Sequence, residues 1–265
     1  MPPSELEIAL GSAVSGIPLP QELPLAHLTA ARYLRDILGA GELRPRLCKV
    51  FKSKLLYFSY GGVFYRTSKI QTQNVAELPV AMVFTPEVMD ACFKLFPFDS
   101  GAMAQKLYGD KWYADMQPFE ERFSIRNGNL STAARLLVQN HYRTNSNYVE
   151  GRPAGSVASW PPTLTLLHAF LSQDLSGIPT VPFGIDHRQR SIELLSAAPV
   201  SIAKELIWIG FPEFRSATIM KAIRKLTRTL PQTFIYGYSK NFNPDEYARV
   251  LQQAAQEDVV DRYLE

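Results

Sequence analysis

Hydrophobic and polar positions in this chain follow two periods. From Leu34 onward the period is helical, with Leu34, Ile37 and Leu38 on one face and Gly41 as a C-terminal stop. Just upstream, Leu25 to Leu28 is a short apolar stretch that carries His27 and is expected to be a strand. KLLYFSYGGVFYR predicts an aromatic-rich strand, a turn at Gly61 and Gly62, and a second segment starting near Val63. PVAMVFTP, bounded by Pro79 and Pro86, predicts a buried strand. Strand character returns at RSIELLSA, at KELIWIGFP and at TFIYGY, with Pro199 and Val200 between the first two. SATIMKAIRKLTRTLPQ predicts an amphipathic helix closed by Pro231, with Lys221, Arg224, Lys225 and Arg228 on one charged face. NPDEYARVLQQAAQEDVVDRYL predicts a last helix, with Asn243 as its cap and Pro244 in its first position.

The middle of the chain breaks this order. From Asp99 to about Pro182, helical patches such as STAARLLVQNHYR alternate with the stretch SNYVEGRPAGSVASWPP, expected to be a loop. Strands in the first and last thirds with helices between and after them predict an α+β protein rather than a doubly wound parallel sheet. GxGxxG and GxxxxGK[ST] are both absent, which argues against Rossmann-type and Walker-type nucleotide binding. The expectation is a single domain over residues 1–265, with a helical and loop insertion at about 99–182 and a C-terminal helix at about 244–263.

Composition narrows the classes. The 265 residues are 46% hydrophobic and 20% charged, typical of a globular protein. Cys48 and Cys92 are too few for a disulfide framework, and no His/Cys spacing suits zinc, so no metal is expected. The N-terminus lacks a basic region and no apolar run is long enough for a bilayer, so the cytoplasm is the expected location, without membrane association. A net charge of +3 permits nucleic-acid contact without requiring it. The insertion carries Arg122, Arg126, Arg135, Arg143 and Arg152 among Tyr142, Tyr148 and Trp160. That mixture suits either single-stranded nucleic acid or an ordinary solvated helical surface. PFDSGAM places Asp99 and Ser100 in an expected loop, with Asp99 a candidate helix cap.

Three segments carry candidate chemistry. His27 and Thr29 precede a helix containing Ile37, Leu38 and Gly41; Tyr57 and Phe58 are followed by small residues and Tyr65; Glu193 opens an apolar strand. In this order they resemble the ADP-ribosyltransferase superfamily, in its His-Tyr-Glu branch that includes the poly-ADP-ribose polymerases and the DNA-modifying DarT toxins. The spacing from Tyr57 to Tyr65 is shorter than in the polymerases.

The resemblance implies a split β-sheet core with a helical insertion, NAD as co-substrate, and transfer of ADP-ribose to a macromolecular acceptor. Glu193 would be catalytic, as a carboxylate beside an oxocarbenium-like ribose. His27, Thr29, Tyr57 and Tyr65 would bind NAD, the histidine and threonine through ribose hydrogen bonds and the tyrosines through the nicotinamide ring. Gln189 and Arg190 would contact the acceptor. Arginine-modifying toxins carry Glu-x-Glu, and Ser191 stands two residues before Glu193, which argues against an arginine target. RNA or DNA is slightly favoured over protein as acceptor. The implied biology is a toxin or antiviral defence effector, with an antitoxin or immunity protein as partner. NAD hydrolysis and a catalytically inactive binding protein on the same fold are the alternatives.

Overall fold

The computed structural model describes residues 2–13, 18–64, 71–155, 159–173, 187–214 and 216–264. Among the described residues the strands are, in chain order, β1 (Leu25–Ala30), β2 (Glu42–Leu43), β3 (Arg46–Leu47), β4 (Lys54–Tyr60), β5 (Pro79–Phe84), β6 (Cys92–Phe96), β7 (Glu193–Ser196), β8 (Val200–Ser201), β9 (Leu206–Pro212) and β10 (Gln232–Tyr236). The chain divides into two compact units, one made of residues 23–91 and 196–263, the other of residues 1–22, 92–195 and the C-terminal pair. Helix and strand are mixed in an α+β arrangement.

In the first unit the strand order is β10-β9-β5-β1-β4. All neighbours are antiparallel except β9 and β10, which run parallel. A parallel pair needs a crossover, and the helix Ser216–Leu226 lies between β9 and β10 in the chain. That helix ends five residues before Pro231, which the sequence pattern takes as its stop. β5 is buried on both faces at every position, because sheet neighbours flank it and the C-terminal helix Pro244–Asp258 packs across it. Gly210 is where that helix comes closest: a Cβ there would lie 2.3 Å from Leu251 Cδ2 and 2.5 Å from the Trp208 ring. Asn243 caps the same helix, its Oδ1 accepting from the Asp245 N–H at 3.0 Å, and Pro244 fills the first position.

The second unit is mostly helical, over Ser100–Ala104, Asp110–Asp115, Phe119–Phe123, Leu130–His141, Asn145–Val149 and Pro162–Leu171, beside the pair β6 and β7. Two of its elements lie outside what the sequence pattern predicts. The helix Glu5–Ala13 begins at a capping box, in which Ser4 N–H donates to Glu7 Oε2 and Glu7 N–H to Ser4 Oγ. β6 is hidden by the lysine in CFKLF, whose ammonium is paired with Glu120. The stretch expected as a loop from Ser146 begins instead as the helix Asn145–Val149, because Thr144 Oγ1 accepts from the Asn147 N–H and caps it.

Candidate active site

β1 and β4 pair antiparallel, with Ala26 opposite Ser59. Side chains two apart on a strand share a face, so His27 and Thr29 are presented together from β1, and Tyr57 and Ser59 from β4. On β4 the alternation also sorts the aromatic cluster. Phe58 and Tyr60 are buried in the core, Phe58 edge-on to Phe84 and Tyr60 accepting from the Leu23 N–H at 3.0 Å. Tyr57 is only half-buried. The helix Leu34–Ala40 that follows β1 stops at Gly41, whose φ of 71° and N–H bond to the Ile37 carbonyl form a left-handed cap.

His27, Thr29 and Tyr57 line one cavity of about 270 Å³. Arg44, Arg46 and Cys48 line it as well. The His27 ring is anchored at Nδ1, 2.8 Å from the Tyr57 carbonyl oxygen. Burial holds its pKa below the usual imidazole value; the Tyr57 carbonyl opposes that and the Arg46 charge adds to it. The ring is thus neutral at pH 7. Because a carbonyl only accepts, Nδ1 carries the hydrogen and Nε2 is left as an acceptor, suited to a hydroxyl. The Tyr57 hydroxyl donates to Cys48 Sγ at 2.7 Å. The exposed Arg46 guanidinium sits 3.4 Å from the centroid of the Tyr33 ring, which orients its charge. Arg44 pairs with Glu42 at 2.7 Å. The sequence pattern singles out neither arginine, although RPR shortly after the Gly41 helix stop is a legible basic cluster.

Glu193 belongs to the helical unit, where it opens β7 and is 5% exposed. Its Oε1 accepts from both groups of Ser100: the backbone N–H at 3.3 Å and the hydroxyl in a short hydrogen bond. Asp99 does cap the helix Ser100–Ala104, its Oδ1 accepting from the Ala102 N–H at 2.7 Å. Gln189 and Arg190 are buried in the turn before β7. The Gln189 amide donates to the Phe170 carbonyl, and Arg190 Nε reaches the Leu171 carbonyl at 3.4 Å. Arg190 also packs against Gly151, where a Cβ would meet its Nη1 at 2.3 Å. Both side chains therefore tie the turn to the end of the helix Pro162–Leu171. Tyr65 lies outside the described residues.

The arginines and aromatics of the insertion are largely committed. Tyr142 and Tyr148 are each 1% exposed, and the Tyr148 hydroxyl accepts from the Ile192 N–H at 3.1 Å. Arg122 bonds Glu5 and the Asp115 carbonyl, Arg126 bonds Glu120, and Arg135 donates to the Pro20 and Leu19 carbonyls. Trp160 stacks edge-on against the buried pair His141 and His168. Tyr142 and Tyr148 thus belong to the interior, and Arg122, Arg126 and Arg135 bond groups of their own unit. Among the described residues, no three His, Cys, Asp or Glu side chains gather as a metal-ligand set, and no helix is long and apolar enough to cross a membrane.

No protein-family model matches the chain, and a search of curated proteins by sequence finds no match. Solved structures do align with it. DarT of Thermus sp. 2.9 in complex with NAD+ covers 83% of this chain and 98% of its own, with 12% identity and a TM-score of 0.44. The same protein in complex with ADP-ribosylated single-stranded DNA covers 84% and 98%, with 12% identity and a TM-score of 0.41. Its complex with carba-NAD+ covers 82% and 97%, again at 12% identity, with a TM-score of 0.39.

Proposed function

We propose that this protein transfers ADP-ribose from NAD to a macromolecular acceptor and releases nicotinamide. The observation that carries the reading is the cavity in which His27, Thr29 and Tyr57, set on two strands, stand beside Arg44 and Arg46. A volume of about 270 Å³ is below the roughly 300–1,000 Å³ of a site enclosing a drug-sized ligand. Such a cavity takes one part of a dinucleotide and leaves the rest outside. His27 Nε2 and the Thr29 hydroxyl suit ribose hydroxyls, Tyr57 and Tyr65 the nicotinamide ring, and Arg46 the pyrophosphate as a cation already oriented by Tyr33.

The resemblance assigns the catalytic carboxylate to Glu193. As the C1′–N bond breaks, its electron pair leaves on nicotinamide and positive charge develops on the ribose. A carboxylate held by fixed donors stabilises that charge without reorganising. The acceptor then bonds to C1′ and its proton passes to the carboxylate or to water. Ser191, standing where an arginine-modifying enzyme has a second glutamate, argues against an arginine acceptor, and a nucleic-acid acceptor is the one proposed. Gln189 and Arg190 contribute by holding the turn that delivers Glu193.

Incubation with NAD bearing a label on its adenylate, together with single-stranded DNA, RNA and lysate protein in parallel, tests the reading. Nicotinamide release with label on an oligonucleotide is the expected outcome. Label on protein would move the acceptor, release without label would make the enzyme a hydrolase, and no release at all would leave a binding protein.

A further inference from the structure

Two groups of Ser100, its hydroxyl and its backbone N–H, converge on Glu193. Ser100 is wholly buried and Glu193 nearly so. Two donors from one residue, hydroxyl and N–H, meet the same carboxylate oxygen. The hydroxyl must be the donor, since a carboxylate only accepts. Donors fixed on one oxygen set the plane of the carboxylate and favour its charged form in a buried place.

The donor pair is itself held. Asp99 caps the turn through Ala102, and the Asp99 N–H donates to the Arg188 carbonyl at 3.0 Å. The same short turn is tied by Gln189 to Phe170, and the strand entering Glu193 is tied by Ile192 to Tyr148. Helical segments thus brace both the backbone that delivers Glu193 and its carboxylate.

We propose that Ser100 is a positioning residue for Glu193, fixing the orientation and the charged state that the carboxylate needs at the ribose. The proposal rests on the ADP-ribosyl transfer reading above. Ser100→Ala removes the hydroxyl and keeps the N–H. Its kcat for nicotinamide release falls roughly 10- to 100-fold, the worth of one charge-assisted hydrogen bond, while KM for NAD stays within about twofold. The acid limb of its kcat–pH profile moves to higher pH, because the charged carboxylate has lost a donor. Ser100→Thr restores both readouts. Should the alanine variant fail to fold by circular dichroism, Ser100→Cys, a weak donor of similar shape, shows the same two changes to a smaller degree.

A folded Ser100→Ala or Ser100→Cys with the wild-type kcat and the wild-type acid limb overturns the proposal and leaves the transferase reading standing. A lowered kcat with an unmoved acid limb and no recovery in Ser100→Thr overturns it too, since that is what general loosening produces. Absence of nicotinamide release from the wild type overturns the functional reading and this proposal with it.

Discussion

Two stretches of this chain look alike as sequence and differ as structure. Residues 27–60 and residues 122–160 both mix arginines with tyrosines. In the first, Arg46 is exposed beside Tyr33, and Tyr57 and His27 line a cavity. In the second, Tyr142 and Tyr148 are buried, and Arg122, Arg126 and Arg135 bond carbonyls and carboxylates of their own unit. What separates the two stretches is where these groups face: a cavity and the surface in the first, the interior and the carbonyls of their own unit in the second. Residue type does not report that. A strand exposes alternate side chains on a fixed face, whereas short helices joined by turns leave carbonyl ends that arginines satisfy.

The contrast can be broken by mutation. The largest effect is expected at Glu193: Glu193→Gln, which keeps shape and removes charge, lowers kcat for nicotinamide release by roughly 10²- to 10³-fold, as loss of an electrostatic stabiliser does. The variant's thermal midpoint should remain within a few degrees of wild type, and full turnover would remove Glu193 from the chemistry. Next come two arginines with opposite signatures. Arg46→Ala raises KM for NAD about tenfold or more and leaves thermal stability in place. Arg135→Ala costs about 1–2 kcal/mol of stability, since the Pro20 carbonyl loses its donor at 2.6 Å, and leaves KM in place. Steady-state kinetics and thermal melts on the same two proteins check both; a swap of signatures would refute the comparison.

The helical unit also has a pH signature of its own. His141 is fully buried, its Nδ1 3.3 Å from Nδ1 of His168. Burial, with the His168 and Arg143 charges adding to it, pushes its pKa down to about 3. The fold thus prefers the neutral ring while the unfolded chain takes up a proton near pH 6.5. This contribution to stability is whole above about pH 6.5 and is lost as pH falls from there toward 3, at no more than about 1.4 kcal/mol per pH unit for one proton. Thermal midpoints measured from pH 7.5 to 4 should fall, and His141→Phe should flatten the profile. The smallest effect is at Tyr148→Phe, which strands the Ile192 N–H and costs about 1 kcal/mol in denaturant unfolding, with kcat altered less than in Ser100→Ala.

Much of the fold is legible in the amino-acid sequence. The Leu34 face with its Gly41 stop, the strand between Pro79 and Pro86, and the Asn243-Pro244 start all stand where pattern and capping chemistry put them, because each is decided by local residues. β6 and the first helix escape the pattern for local reasons too: a paired lysine masks the one, and a proline-rich setting obscures the Ser4-Glu7 box of the other. His27, Thr29 and Tyr57 line one cavity because they stand on strands that pair in the sheet, β1 with β4. The Ser100 bond cannot be read from sequence, since it joins residues 93 apart and PFDSGAM looks like any capped turn. The burial of Gln189 and Arg190 depends likewise on a helix end far off in the chain.

On the proposed function, NAD enters the cavity lined by His27. Calorimetric titration of NAD into the wild type and into His27→Ala tests it most directly, because binding is read without turnover. Saturable binding by the wild type is expected, with an affinity about tenfold weaker in the variant from loss of the acceptor Nε2 and both proteins equally folded. Equal affinity in the two proteins would contradict it.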